Sequence, residues 1–551
     1  MAIAALVRSR DTKVFGALAE FGKQSLRKIA QATGLSKDSV ARSLTALFKR
    51  DKHPESRLWE TEEGQAWLRR MVIAMLYEFG VKGNQGAERM SEFLKRIRVD
   101  THVGSSPSAL RNMVQQLEKA LADFQREQET QQAEQECQVR EIVASGDETF
   151  FNDEMVMVLM DLTSGYLLLE EEAADRSYKT WKAKVQPRLQ QLGLRVRHFI
   201  SDRGKSLVKL ALSSLGCEAG ADLFHAQYDI SKWLGRALHG KLGQACKQLK
   251  DAETRLASLE EKEAPPEKIA EQRQRIQQTK EKLNAIEEGR EAYHEAQLSV
   301  SEAVHVFSVE DSASQTSEQV EKRVEEQTQR FEEIAQEQNI QDKKDAAGKF
   351  RRQIEDVAST VDTWWLWTKE SLSEYEIDEA VREWLLYVLL PVIYWHHQLQ
   401  KTQNPNMKER YEAVWKKAHA AFAAHPVTRT MSKQDSSATL TTGLDRWRSW
   451  GEWASGNFHR TSSAVEGRNG CLSQSYHNGR GLTNRRLHAL TAIHNYDTRR
   501  CDGSTPAQRL YGKQFPDPFE WLLGQMGALP LPRKARQRVV KNPLALTAVA
   551  A

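Results

Sequence analysis

The stretch that begins QVREIVASGDETFF at Gln138, continues as MVMVLMD (Met155–Asp161) and ends in YLLLEEE (Tyr166–Glu172) carries the only strong β signal in the chain. The runs are rich in Val, Ile, Leu and Phe, and Thr163-Ser164-Gly165 supplies a turn before the third. An amphipathic helix follows over about Ser177 to Leu192, its apolar stripe being Trp181, Val185 and Leu189. LRVRHFISDRG then reads as a fourth strand ending in Asp202, and ADLFHAQYDISKWLGRAL as a short fifth strand turning into a helix. Around this block the sequence is helical. Leu242, Leu249 and Leu256 recur every seven residues, and after Pro265-Pro266 the pattern resumes at Ile269, Ile276 and Leu283. Two such arms around a proline break predict an antiparallel coiled-coil hairpin.

With 551 residues the chain is long enough for three or four domains. No apolar run approaches twenty residues, which excludes a membrane span, and the start MAIAALVRSRDTK predicts no secretory leader. Five cysteines, widely spaced and without a CxxC, fit neither a disulfide framework nor a zinc finger, and point to a reducing cytoplasm. The net charge of +4 conceals an uneven distribution. Residues 1–58 hold twelve Lys/Arg against five Asp/Glu, and the tail from Leu531 holds five basic residues and no acid. Basic ends around a mixed-charge helical middle suggest ends that meet a polyanion.

Within the basic N-terminal part, Ser25 to Ala32 and Ser36 to about Lys49 read as two helices joined at Thr33-Gly34-Leu35, a helix-turn-helix with Ser36 as N-cap. Ile29, Ala30, Leu35, Val40, Leu44 and Leu47 supply its apolar faces, leaving Lys37, Ser39, Arg42 and Ser43 for a DNA groove. A small helical bundle with a protein partner is the alternative. A second helical module, about Thr61 to Gln128 with Pro107 early in a helix, is a candidate second DNA-binding unit. Nine of the fourteen tryptophans lie between Trp364 and Trp453. Trp364, Trp365 and Trp367 are too close to share one helix face, which leaves at least one for stacking on a base.

Three strands, a helix and a further strand with an acid at its end is the order of an RNase H-like mixed sheet. Phosphodiester chemistry needs one or two Mg²⁺ (or Mn²⁺) ions, about 3.5–4 Å apart when paired, held by two or three carboxylates on rigid elements. Asp147 lies within the first strand, Asp202 ends the fourth, and Glu466 falls on a later helix in TSSAVEGRNG, beside Arg468 and Asn469. Asp161 is an alternative first acid, but one strand only would then separate it from the helix where the fold needs two; it reads as a turn residue. Alternation places Glu148 on the opposite sheet face from Asp147, and Asp153 lies close by. His225 contacts either the scissile phosphate or a metal-bound water, or is a buried histidine on backbone. Arg203, Lys205, Arg468 and Asn469 read as phosphate contacts, and Arg480, Asn484, Arg485 and Arg486 as a DNA-facing cluster.

GDETFF, ISDRGKSL, DLFH and SSAVEGRNG, with the closing NYDTRRCDGSTPAQRLYGKQFPDPFEWL, resemble the DDE transposases of bacterial insertion sequences, in the retroviral-integrase superfamily. The similarity covers about residues 135–235 and 456–525. It implies a DNA transposase in which Asp147, Asp202 and Glu466 are the catalytic metal ligands and Mg²⁺ (or Mn²⁺) is the cofactor. Double-stranded DNA, as element terminal repeats and target, is the implied partner, engaged by a homodimer or higher oligomer in the cytoplasm at the nucleoid. The expected organisation is a helix-turn-helix domain at 1–58, a second helical module at 59–132, and the first part of the core at 133–235. An all-helical insertion at 236–455, the second part of the core at 456–500 and a basic tail at 501–551 complete it. The rivals are a catalytically inactive, transposase-derived DNA-binding regulator or architectural protein, a structural coiled-coil protein, and a nuclease of the same fold.

Overall fold

The computed structural model describes residues 2–135, 138–152, 154–373, 375–434 and 443–532. The chain is mainly helical with one five-stranded mixed sheet, an α/β protein. It divides into two compact units, one from the described parts of Met1–Gln132 and Leu472–Ala551, the other from Ala133–Cys471. The segment 456–500, grouped together in the sequence, is therefore divided after Cys471. Among the described residues no helix is long and apolar enough to cross a membrane.

In the first unit, α1 (Ala2–Phe21), α2 (Leu26–Thr33) and α3 (Lys37–Arg50) close on Val14, Ile29, Val40 and Leu47. Gly34 ends α2 at φ +68°, a left-handed conformation that glycine adopts without a Cβ penalty, and the Ser36 hydroxyl accepts the Ser39 N–H to start α3. Lys37 and Arg42 stay exposed, whereas the Ser39 hydroxyl is engaged by that of Ser36. Ser43 does not face a groove: it is buried, and its hydroxyl donates to Asp11 at 2.7 Å. The reason is Asp11 itself, a buried carboxylate that gathers Ser43, Arg10 and Arg50 around it. Helices α4 (Glu62–Met75), α5 (Ala87–Arg96) and α6 (Pro107–Gln135) follow, Pro107 taking the first helical position, where its missing N–H has no partner to lose.

The sheet of the second unit contains β1 (Arg140–Phe151), β2 (Glu154–Asp161) and β3 (Leu167–Ala173) as an antiparallel meander. After α7 (Tyr178–Leu192), β4 (Leu194–Ser201) lies parallel to β1; α8 (Lys205–Lys209) then leads to β5 (Glu218–Ala221), parallel to β4. The strand order is β3-β2-β1-β4-β5. Trp181, Val185 and Leu189 bury the α7 stripe. A Cβ at Gly146 would stand 3.0 Å from Phe199 Cζ and 3.3 Å from Trp181, so the glycine lets that indole reach the sheet. Asp161 is buried at the β2 end, accepting the Ser164 N–H at 2.9 Å and the Ser164 hydroxyl; it holds the turn before β3.

Helix α9 (Leu223–Ile230) runs through a π-helical turn at Ser231–Gly235 into α10 (Arg236–Glu261), which pairs with α11 (Pro266–Ala303) in the expected hairpin. Its buried seam is Ala245, Ala252 and Ile276, with Leu242, Leu249 and Leu256 half-buried at the margin. Next come α12 (Ser317–Glu337), α13 (Ala346–Ser373), α14 (Glu379–Trp384), α15 (Leu390–Lys401), α16 (Pro405–Ala424), α17 (Pro426–Gln434), α18 (Gly443–Gly456) and α19 (Ser463–Ser475). Here the stacking role given to Trp364, Trp365 or Trp367 fails, because the exposed face of α13 falls to Asp362, Leu366 and Lys369 and the three indoles lie on its packed faces. All three are buried, and their indole N–H groups donate to Ala454 O, Gln315 O and Glu141 Oε2 at 2.8, 3.1 and 2.9 Å.

The first unit finishes with α20 (Asn484–Tyr496), α21 (Pro506–Tyr511) and α22 (Pro518–Gln525). Arg486 is not DNA-facing. It is buried, donating to Glu118 Oε1 at 2.8 Å and to the carbonyls of Gly80 and Val81, while Arg485 donates to Glu118 Oε2 at 3.0 Å. The buried Glu118 carboxylate demands this compensation, which draws Arg486 inward while Arg485 reaches it from the surface. The Arg480 side chain, Asp153 and the basic tail from residue 533 lie outside the described residues.

Candidate active site

Chain register alone brings the first two acids together. Ser145 pairs with Ile200 across the parallel β1–β4 ladder, so Asp147 and Asp202, each two residues further on, emerge side by side from strands roughly 5 Å apart. Two residues along a strand is also one full side-chain period, which keeps both on the face of Ser145 and Ile200. Glu148 points the other way, its carboxylate accepting the Trp181 indole N–H at 2.7 Å. Asp202 is exposed in a tight turn: its Oδ1 accepts the Gly204 N–H at 2.8 Å, while Arg203 sits at φ +66°, costly for a residue with a Cβ.

Helix α19 supplies the third acid. Glu466 lies in its first turn and Asn469 three residues on, hence on the same face. Asn469 Nδ2 donates to Asp147 Oδ2 at 2.7 Å, while the Glu148 backbone N–H donates to Oδ1 at 2.8 Å. Arg468 points elsewhere, into a buried bidentate pair with Glu170 of β3 at 2.6 and 2.7 Å. This guanidinium clamps α19 to the sheet and is not a phosphate contact, because it is itself buried in answering the charge of the buried Glu170. Arg203 is likewise engaged, its Nη1 lying 2.6 Å from Asp356 Oδ1 of α13; Lys205 is exposed.

Asp222 organises the other wall. Nearly fully buried, it caps α9 by accepting the Phe224 N–H at 2.6 Å, and its other oxygen accepts the Ser462 N–H at 2.7 Å and the Ser462 hydroxyl. One carboxylate thus fixes both the start of α9 and the residue from which α19 departs. Despite burial, the nearby His225 imidazole and the hydrogen bonds from Ser462 hold its carboxyl below the usual range. His225 bridges the walls, with Nδ1 3.4 Å from Asp222 Oδ2 and Nε2 3.6 Å from Glu466 Oε1, contacts of ion-pair length rather than aligned hydrogen bonds. Asp222, with Glu466 and Asp202 further off, raises its pKa.

The acids share one field. Burial first, then the charges of Glu466 and Asp202, push the Asp147 carboxyl up to about 6. Among the described residues no Lys or Arg pairs with Asp147, Asp202 or Glu466. Nor do any three His, Cys, Asp or Glu side chains there stand together as a ready-made metal cage. The donor set nonetheless suits a hard divalent cation: three carboxylates without a Lys or Arg partner, one of them protonation-prone from burial and repulsion, beside an Asn469 Oδ1 that is buried without a hydrogen bond. The sequence singled out DLFH for its histidine and missed Asp222, Glu170 and the orienting role of Asn469. An acid preceding a helix is a recognisable cap, which makes Asp222 the one with a readable signal.

A family model described as a family of unknown function (DUF6399) matches residues 385–538, a span that includes α19 and Glu466. No curated protein and no solved structure matches the chain.

Proposed function

We propose that the protein is a Mg²⁺-dependent DNA strand-transfer enzyme, a transposase with an RNase H-like core, in which Asp147, Asp202 and Glu466 form the metal-holding triad. The observation that carries the reading is the juxtaposition of Asp147 and Asp202 on adjacent parallel strands with Glu466 close enough to raise Asp147. The strand order, with three antiparallel strands followed by two parallel ones, supports the same fold assignment. Mg²⁺ bound by these carboxylates supplies Lewis-acid stabilisation of the charge that develops on the phosphodiester oxygens.

The remaining work belongs to the chain's own groups. Asn469 and the Glu148 N–H fix the direction of the Asp147 oxygens. His225, held by Asp222, orients Glu466 and gives the site one positive charge when protonated. Lys205 remains free to meet a phosphate, and Lys37 and Arg42 on α3 offer exposed cations for duplex DNA. The half-reactions are in-line attacks on phosphorus, by water to cut and by the freed 3′-hydroxyl to join, so bond energy is exchanged and no nucleotide cofactor is required.

The test is Mg²⁺-dependent nicking and joining of labelled duplex DNA by the full chain and by Asp147→Asn, Asp202→Asn and Glu466→Gln. Each variant is expected to lose on the order of 100-fold or more, as removal of several kcal/mol of charge stabilisation requires. Nicking that survives Asp202→Asn refutes the triad. Salt-sensitive DNA binding by the wild type with no cleavage under any divalent metal supports the inactive-regulator reading instead.

A further inference from the structure

The helix that carries His225 continues away from the acids with an unusual face. Phe224 is 60% exposed and Tyr228 is 42% exposed, one helical turn apart, with ring centroids 6.5 Å from each other. Lys232 follows a turn later, its Nζ 4.0 Å from the Tyr228 ring centroid. Beyond the π-helical turn, Arg236 and His239 extend the same side along α10, and Arg290 of α11 faces them across a cleft of about 600 Å³. That cleft has no acidic residue in its lining, and Gly240 leaves part of its wall without a side chain. Among the described residues Lys232, Arg236 and Arg290 have no carboxylate partner. The series starts at the site, since the Phe224 ring meets that of His225 at 5.9 Å.

We propose that this face, from Phe224 to Arg236 with Arg290 opposite, is a binding tract for the unpaired DNA strand that leaves the acid cluster. Large exposed rings are unfavourable in water and stay exposed where a partner covers them. Alternating rings and unpaired cations match the faces and phosphates of a single strand, the combination that binds such strands without reading sequence. Spacing favours an extended strand over a duplex. Stacked nucleotides repeat at about 3.4 Å, half the ring separation, and bases within a duplex offer no free face to either ring. The tract rests on the strand-transfer reading for its location, but its affinity is measured separately.

The experiment is fluorescence anisotropy of the full chain in EDTA, with a labelled oligo-dT of about fifteen nucleotides and a blunt duplex of equal length. Phe224→Ala/Tyr228→Ala is expected to weaken single-strand binding at least ~5-fold, the lower bound for one lost base–ring stack, and to leave duplex binding within about twofold. Phe224→Tyr and Tyr228→Phe, which keep the rings, should bind as wild type. Lys232→Ala/Arg236→Ala/Arg290→Ala should reduce the log–log salt slope for the single strand by about 2, at about 0.7 per phosphate. Unchanged single-strand affinity in the ring-less variant overturns the tract, as does a fall in oligomeric state with no change in affinity, which would make the face a subunit contact. If affinity stays unchanged while nicking still depends on Asp202, the tract alone is wrong. Where affinity depends on the rings and no cleavage occurs, the tract stands and the strand-transfer reading is wrong.

Discussion

Replacing Asp147 by Asn should stabilise the protein, and only at the higher pH values. The carboxyl moves from 3.8 to about 6 because burial, Glu466 and Asp202 all disfavour its charge. A displacement of about two pH units corresponds to about 3 kcal/mol at 1.36 kcal/mol per unit. The sign follows from which state releases its proton first. Below pH 3.8 the group is protonated in the folded and unfolded chain, and no penalty exists. Between 3.8 and 6 the unfolded chain ionises while the folded one resists, so the folded state is increasingly disfavoured; above 6 the penalty is complete. Asparagine never ionises. It keeps the Glu148 N–H as donor, and a flip of the Asn469 amide would turn its unbonded Oδ1 toward the new Nδ2. Metal-free thermal unfolding at pH 4, 6 and 8 is the assay. A gain of about 1–3 kcal/mol, roughly 1–4 °C for a unit of this size, is expected at pH 8 and no more than about 0.5 kcal/mol at pH 4. Equal or lower stability than wild type at pH 8, or the same gain at pH 4, refutes the charge-repulsion account.

Three further outcomes follow from individual contacts. Arg468→Met removes the bidentate partner of the buried Glu170 carboxylate and should lower stability by about 3–5 kcal/mol in urea unfolding, whereas Arg468→Met/Glu170→Leu should recover most of it. The His225 imidazole should titrate above 6.5 by NMR and move back toward it in Asp222→Asn; its ion pairs contribute fully below pH 6.5 and are lost as pH rises through the folded value. Trp364→Ala should cost about 3–5 kcal/mol by denaturation and leave DNA affinity unchanged, as befits a core residue.

Periodicity made the helices, the hairpin and the strand sequence readable, because each buries one face at a spacing the residues display. Gly34 and Ser36 mark the α2–α3 turn as plainly as the apolar positions do. Residues destined for partners distant in sequence were less readable. Ser43, Arg468, Arg485 and Arg486 look solvent-facing by type, yet each goes to a buried carboxylate (Asp11, Glu170 or Glu118) whose burial no local pattern displays. Trp364, Trp365 and Trp367 cannot share a helix face, and the inference that one must be free failed because α13 is packed on more than one face and leaves only the side of Asp362, Leu366 and Lys369 to solvent. Asp147 and Asp202 were discernible as strand-borne acids, whereas Asn469 gains its significance through a contact more than three hundred residues away.

Mn²⁺ binding, followed by electron paramagnetic resonance at pH 7.5 on wild type, Asp147→Asn, Asp202→Asn and Glu466→Gln, tests directly whether the three carboxylates act as one metal site. The account predicts saturable binding by wild type and at least a ~10-fold weaker affinity in each single variant, with Asp161→Asn giving no comparable loss. Equal Mn²⁺ affinity in all four of the first set would contradict it, whatever the protein does to DNA.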